Sequence, residues 1–168
     1  MTGTLAPASH QDLPGILTIY NEVIRTSTAV YTEIEFSAEG GAAWFDAKRG
    51  GGFPFIVAKD ESGITGFGTF GNFRAPPCYQ HSVEHSVHVR SDRRGRGIGR
   101  QLVIELMNLA AGMHKHVMIA GVDADNAVSI KLHESLGFIK VAHFHEVGFK
   151  FGRWLDLVFL ECRLPATK

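Results

Sequence analysis

Residues 82–99 read Ser-Val-Glu-His-Ser-Val-His-Val-Arg-Ser-Asp-Arg-Arg-Gly-Arg-Gly-Ile-Gly. The first eight alternate, with Val83, Val87 and Val89 on one side and Glu84, Ser86 and His88 on the other, which is the period of a half-buried strand. A glycine-rich, basic run follows, and beyond it Ile98, Leu102, Val103, Leu106, Leu109, Ala110 and Met113 recur at helical spacing. A strand that enters a glycine loop and then a helix N-terminus makes an anion site. The first amides of the helix have no partner within it, the helix dipole adds partial positive charge, and glycine lets an anion reach the main chain. Arg93, Arg94, Arg96 and Arg100 add charge-assisted donors.

The spacing narrows the anion. A dinucleotide fingerprint needs Gly-x-Gly-x-x-Gly, whereas this loop offers Gly95-x-Gly97-x-Gly99. A nucleotide P-loop ends in Gly-Lys-Ser/Thr, whereas Gly99 is followed by Arg100-Gln101. A plain solvated turn has no need of four arginines and three glycines within residues 93–100.

The bulk composition excludes several classes. At 168 residues the chain has the size of one domain, residues 1–168. It is 45% hydrophobic and 20% charged, with Lys+Arg and Asp+Glu at 17 each, so the formal net charge is zero. That balance argues for no nucleic-acid and no membrane-surface partner. No apolar run approaches the roughly 18 residues of a membrane helix. The N-terminus lacks a basic-then-apolar signal pattern. Cys78 and Cys162 form no close-spaced motif, and free thiols point to the cytoplasm.

Outward from the central stretch, residues 2–8 suit a short first strand. Asp12 is placed to cap a helix carrying Leu13, Ile16, Leu17, Tyr20, Val23 and Ile24, with Pro14 in its first turn. Residues 25–35 lose the period and read as a loop that lines a pocket with Tyr31. Ser37 caps a second helix with Ala42, Trp44 and Phe45, ended by Gly50-Gly51-Gly52. Residues 55–58 and 64–71 form a hairpin about a polar turn, and the loop 72–80 holds Phe73-Arg74 and Pro76-Pro77. Past the central helix come a strand at 116–122, a break at 123–126, a helix from Ala127 to its stop at Gly137, and strands at 138–147 and 154–164. Residues 148–153 join the last two. The order predicts a mixed α/β sheet of about seven strands with four helices.

Arg94-x-x-Gly97-x-Gly99, after a strand and opening a helix, resembles the pyrophosphate-binding motif of the GNAT acetyltransferases. Asn126, Ser129 and Gly137-Phe138 are similar to that superfamily's second motif, on its late helix. The resemblance implies the GNAT acyl-CoA N-acyltransferase fold and acetyl-CoA as cosubstrate. The implied coenzyme contacts are Val87, His88, Val89, Arg94, Gly95, Arg96, Gly97, Ile98, Gly99, Asn126 and Ser129. Tyr20-Asn21-Glu22, Thr28 to Tyr31, Phe73-Arg74, Val83 to Val87, Lys131 to Glu134 and Lys150 to Asp156 extend the match. They resemble the phosphinothricin and methionine sulfoximine acetyltransferases, to about Arg163. That subfamily implies a homodimer and an acceptor with an α-amino group and a tetrahedral, oxygen-bearing phosphorus or sulfur side chain. The acceptor wall would hold Tyr31, Phe73, Arg74 and Glu84. Two other readings share the fold: transfer to another amine, such as a polyamine or a protein N-terminus, and a coenzyme A-binding module without catalysis.

Acetyl transfer requires an amine that has lost a proton, donors for the developing oxyanion, and a proton for the leaving thiolate. Glu84, on the polar side of the central strand, matches the subfamily's acidic residue and is the candidate base; the alternative is a surface carboxylate paired with an arginine. Many GNAT proteins carry a Tyr seven residues after the helix Asn, where His133 stands here. An imidazole there either passes a proton or is a helix histidine bonded to backbone or coenzyme. His114/His116 and His143/His145 are each two apart and so could share a strand face. No cysteine or spaced carboxylate completes either set, so no metal is expected.

Overall fold

The computed structural model describes residues 4–165, so the expected start of the first strand at Thr2 lies outside them. Seven strands and four helices follow in the order β1 (Thr4–Pro7), α1 (Leu13–Thr26), α2 (Ala38–Gly50), β2 (Phe55–Asp60), β3 (Gly63–Asn72), β4 (Ser82–Val89), α3 (Ile98–Gly112), β5 (Val117–Asp123), α4 (Ala127–Glu134), β6 (Ile139–Lys150) and β7 (Arg153–Arg163). The strands form one sheet in the order β1-β2-β3-β4-β5-β7-β6. Every pair is antiparallel except β4 and β5. A parallel pair needs a long crossover, and the loop with α3 supplies it.

Period-2 alternation divides the core between the two faces. Phe55 and Val57 of β2 and Phe67 of β3 pack with Leu13, Ile16 and Ile19 of α1 and Phe45 of α2. Ile56, Ala58, Phe70 and Val83 face the other way, onto Leu102, Val103 and Leu106 of α3. Gly66 and Gly68 of β3 let α3 approach closely. A Cβ at Gly66 would stand 3.1 Å from the Leu102 side chain, and one at Gly68 would stand 3.0 Å from that of Leu106.

Two expectations need correction. Asp12 sits at the start of α1 but turns back: its Oδ2 accepts from the Ser9 amide and hydroxyl, and its Oδ1 pairs with Lys59 at 2.7 Å. Pro14 in the first turn removes one of the amides a cap would bond. The link between the last two strands is far shorter than residues 148–153. It is the two-residue turn Phe151-Gly152, with φ of 53° and 73°, as a tight hairpin demands. Beside that turn Lys150 is buried: it is 1% exposed, and its Nζ donates to the Ser27 and Val30 carbonyls at 2.6 and 2.8 Å. It thereby ties the hairpin to the segment after α1.

Candidate active site

The β4–β5 ladder covers only Ser82–Glu84 against Val117–Ile119, while both strands run on. Beyond Glu84 they part, and a pocket of about 650 Å³ opens there. Val87, His88 and Val89 line one side of it, and Asn126, Ser129, Leu132 and His133 line the other. Arg94, Gly95, Gly97, Ile98, Gly99 and Arg100 close its end. Gly95 and Gly97 have φ of 74° and 80°, and Gly97 is the N-cap of α3. This conformation turns successive amides toward one point, beside the positive end of the helix dipole.

The arginines divide by role. Arg93 is committed to Asp60 and Asp92 at 3.0 and 2.8 Å, and Arg90 to Asp92, Ser62 and the Ile64 carbonyl. These pairs brace the loop, so Arg93 offers less to an anion than its place in the motif suggests. Arg94, Arg96 and Arg100 are exposed, and Arg94 and Arg100 line the pocket. Across it, Asn126 caps α4 by accepting from the Ser129 amide at 3.1 Å.

His133 faces a residue that the sequence reading passed over. Its Nδ1 is 2.7 Å from the Ser129 carbonyl, so that nitrogen carries the proton. Its Nε2 therefore accepts from Nε2 of His85 at 3.1 Å, which leaves His85 Nδ1 buried with a lone pair and no partner among the described residues. Burial, then His133 and His88, push His85 down to about 3. Burial also lowers His133, against the Ser129 bond. Burial, with Arg94 nearby, takes His88 down to about 4. At neutral pH all three imidazoles are uncharged. The signal for His85 was its place on the apolar side of β4.

Glu84 is half-buried on the other side of β4. Desolvation raises its pKa, and the cations Arg74 and Lys48 pull it back. A Cβ at Gly121 would stand 2.9 Å from Glu84 Oε1, so glycine there makes room for the carboxylate. The Arg74 guanidinium lies 4.9 Å from the centre of the Phe73 ring, which meets Phe159 and Tyr79 edge-on. Glu84, Arg74 and Phe73 thus stand together, with Lys48 of α2 as a further neighbour. Tyr31 belongs to a different group. Its hydroxyl donates to the Asp156 carbonyl at 2.7 Å, its ring packs on Gly148, and burial with Asp123, Asp156 and Asp125 pushes its pKa up to about 12.

The acetyltransferase (GNAT) domain family matches residues 5–159. The chain belongs to the GNAT acetyltransferases. It is 41% identical to the L-methionine sulfoximine/L-methionine sulfone acetyltransferase of Pseudomonas paraeruginosa, over all of this chain and 98% of that one. An N-acetyltransferase from Staphylococcus aureus Mu50 superposes with a TM-score of 0.96 at 39% identity, covering 98% and 100% of the two chains. A GNAT phosphinothricin acetyltransferase from Sinorhizobium meliloti, in complex with acetyl-CoA, superposes with a TM-score of 0.94 at 36% identity, covering 98% and 89%.

In this GNAT acetyltransferase the pocket chemistry fits acetyl-CoA: a basic, amide-rich end for phosphates and a long, largely apolar wall. Gly97 tests it. Nothing lies within 4 Å of an added Cβ, but φ of 80° disfavours a side chain, most of all a β-branched one. Gly97→Val is expected to weaken acetyl-CoA binding about tenfold or more with the fold intact, because the loop must leave the left-handed conformation that aims its amides. Calorimetry with unchanged affinity would count against the assignment.

The expectation about metals changes here. Asp156 of β7 meets both His143 and His145, at 2.8 Å each. The carboxylate absent from the local spacing comes from the neighbouring strand.

Proposed function

We propose that this enzyme moves the acetyl group of acetyl-CoA to the α-amino group of a small amino-acid analogue such as L-methionine sulfoximine, L-methionine sulfone or phosphinothricin. The observation that carries the reading is the group formed by Glu84, Arg74 and Phe73 on β4 and its entry loop, just before Val87–Val89 line the pocket. Glu84, directly or through a water, takes the ammonium proton. The neutral amine attacks the thioester carbonyl, and the main chain of Val87–Val89, which lines the pocket, would supply the donor for the oxyanion. The C–N bond forms, the C–S bond breaks, and the surplus proton on the attacking nitrogen is given up as the thiolate gains one by way of water, so the products are the amide and the coenzyme thiol. Arg74 with Phe73 holds the acceptor's carboxylate end; Tyr31, tied to the Asp156 carbonyl, stands apart from them and forms at most the far border of the acceptor site. For His133 the geometry supports the bonded-histidine reading, because both ring nitrogens are already engaged.

Coenzyme contacts in this proposal are Val87, His88, Val89, Arg94, Gly95, Arg96, Gly97, Ile98, Gly99, Asn126 and Ser129. The reading has the chain work as one domain in the cytoplasm, in keeping with the free cysteines Cys78 and Cys162. No helix among the described residues is long and apolar enough to cross a membrane. A homodimer is part of the reading. β6 is an edge strand, and Ile139, Val141, Phe144, Val147 and Phe149 on it, with Phe151 and Trp154 beyond, are exposed. An apolar edge of this kind is covered in a stable protein. Light scattering is expected to give the mass of two chains, and a monomer at working concentration would remove the dimer.

The function is tested by coenzyme A thiol release with a panel of amines. Turnover with the three amino-acid analogues, well above that with polyamines or N-terminal peptides, is expected. A reversed order would replace the acceptor class, and no release with any amine would leave only coenzyme binding.

A further inference from the structure

The β6–β7 ladder slips between Phe144 and Gly148, where Glu146 takes φ of 52°. The slip places His143 and His145, which share a strand face, against one carboxylate on the neighbouring strand. His143 Nε2 and His145 Nδ1 each lie 2.8 Å from the same oxygen, Asp156 Oδ2. The two rings are 4.3 Å apart, tilted by 32°. The three ligand-type atoms all lie within 4.8 Å of one another. The other oxygen, Asp156 Oδ1, accepts from the Glu146 amide at 2.9 Å.

An imidazole–carboxylate pair needs one histidine. Two rings converging on one oxygen, with the second oxygen pinned by a backbone amide, is the arrangement of a metal ligand set with its outer support. We propose that His143, His145 and Asp156 bind a divalent late first-row transition ion of the Zn²⁺ class, with water completing the coordination. The ligand types exclude the hard, oxygen-seeking Ca²⁺ and Mg²⁺ and suit Zn²⁺. Bonds of about 2.0–2.1 Å around a tetrahedral ion space ligand atoms about 3.3 Å apart, so each imidazole withdraws from Asp156 by about half an ångström. The proton each ring now directs at Asp156 moves to its other nitrogen or leaves to solvent. His145 is the most open of the three, with 74% of its side chain exposed in the single chain, so the ion is expected to load before, or from the rim of, the β6 contact between two chains.

The ion would close the break in the ladder. It would also fix Asp156, whose carbonyl accepts from Tyr31 at 2.7 Å and from the Ala124 amide at 3.0 Å. Metal occupancy would therefore stiffen the link between the outer hairpin, Tyr31 and the start of α4.

The test uses the intact purified protein, freed of metal with a chelator and titrated with Zn²⁺ and, separately, with Co²⁺, whose visible absorption reports its ligands. The expected result is one ion per chain, a thermal midpoint raised by Zn²⁺, and loss of both in the double variant His143→Asn/His145→Asn. These two side chains are exposed, so the core is untouched. Asp156→Asn should weaken binding at least about tenfold. Saturable binding that survives the double variant would place the ion at another histidine cluster and overturn the proposal. Binding weaker than about 1 mM in the parent protein would overturn it as well.

Discussion

Glu84→Gln is expected to lower kcat by about 10²–10⁴-fold while leaving acetyl-CoA affinity within about twofold. The substitution keeps the shape of the side chain and removes only its ability to take a proton. A base of this kind must be ionised at working pH and yet basic enough to compete for an ammonium proton. Half-burial provides the second property, since desolvation raises Glu84, and Arg74 and Lys48 keep the rise in check. Because the net shift is upward, the acid limb of the pH–rate profile should lie above the ordinary carboxylate value of 4.5. Lys48→Met removes one restraining cation and should move that limb higher still. The same shift governs stability. A carboxyl raised in the folded state contributes stability below its unfolded pKa and loses it as pH rises through the folded value. At neutral pH the ionised Glu84 is therefore a cost to the fold, and Glu84→Gln should melt at or slightly above the parent temperature. Near-normal turnover across the pH range would remove Glu84 from the mechanism.

What could be read in advance was set by how local each signal is. The β4 alternation, the glycine–arginine loop and the α3 stripe are contiguous, and each has its own period, so one side and the basic end of the pocket fall along one run of chain. Asn126, which caps α4, and Ser129 announce themselves by helix position. The failures depend on distant partners. Lys150 reads as a surface cation until the Ser27 and Val30 carbonyls, more than a hundred residues away, receive it. The tight turn at Phe151-Gly152 was hidden because Phe seldom takes positive φ and no Asn-Gly pair marks the spot. His85 was legible as an oddity on an apolar strand face, but its meaning required His133 opposite. Asp156 reached His143 and His145 through a register slip, which no spacing within either strand predicts. The resemblance groups Tyr31 with Phe73, Arg74 and Glu84, whereas its contacts are the Asp156 carbonyl and Gly148 on the β6–β7 side.

Arg74→Ala is expected to lower kcat/KM for methionine sulfoximine or phosphinothricin by roughly 2–5 kcal/mol in transition-state terms. An amino-acid acceptor brings a carboxylate, and its phosphinate or sulfoximine brings further polar groups. These need a donor that stays charged when water is excluded, and guanidinium does so while bonding two oxygens at once. Arg74 is exposed, but it is not loose: it lies over the Phe73 ring at 4.9 Å, and Phe73 is wedged against Phe159 and Tyr79. Pro76 and Pro77 stiffen the loop that carries it. Arg74 also helps hold Glu84 down, so its removal raises the Glu84 pKa and moves the acid limb upward. Rates must therefore be compared on the plateau above that limb, where the change in the base no longer contributes. Arg74→Lys separates charge from shape: it restores the restraint on Glu84 but not the planar fork, so recovery of the limb without recovery of kcat/KM is the expected pattern. The decisive comparison is between an amino-acid acceptor and its decarboxylated amine. The amine should lose far less, because it never made the contact. Equal losses for the two would mean that Arg74 reads the side-chain oxygens or braces the loop, and that the acceptor's carboxylate is held elsewhere.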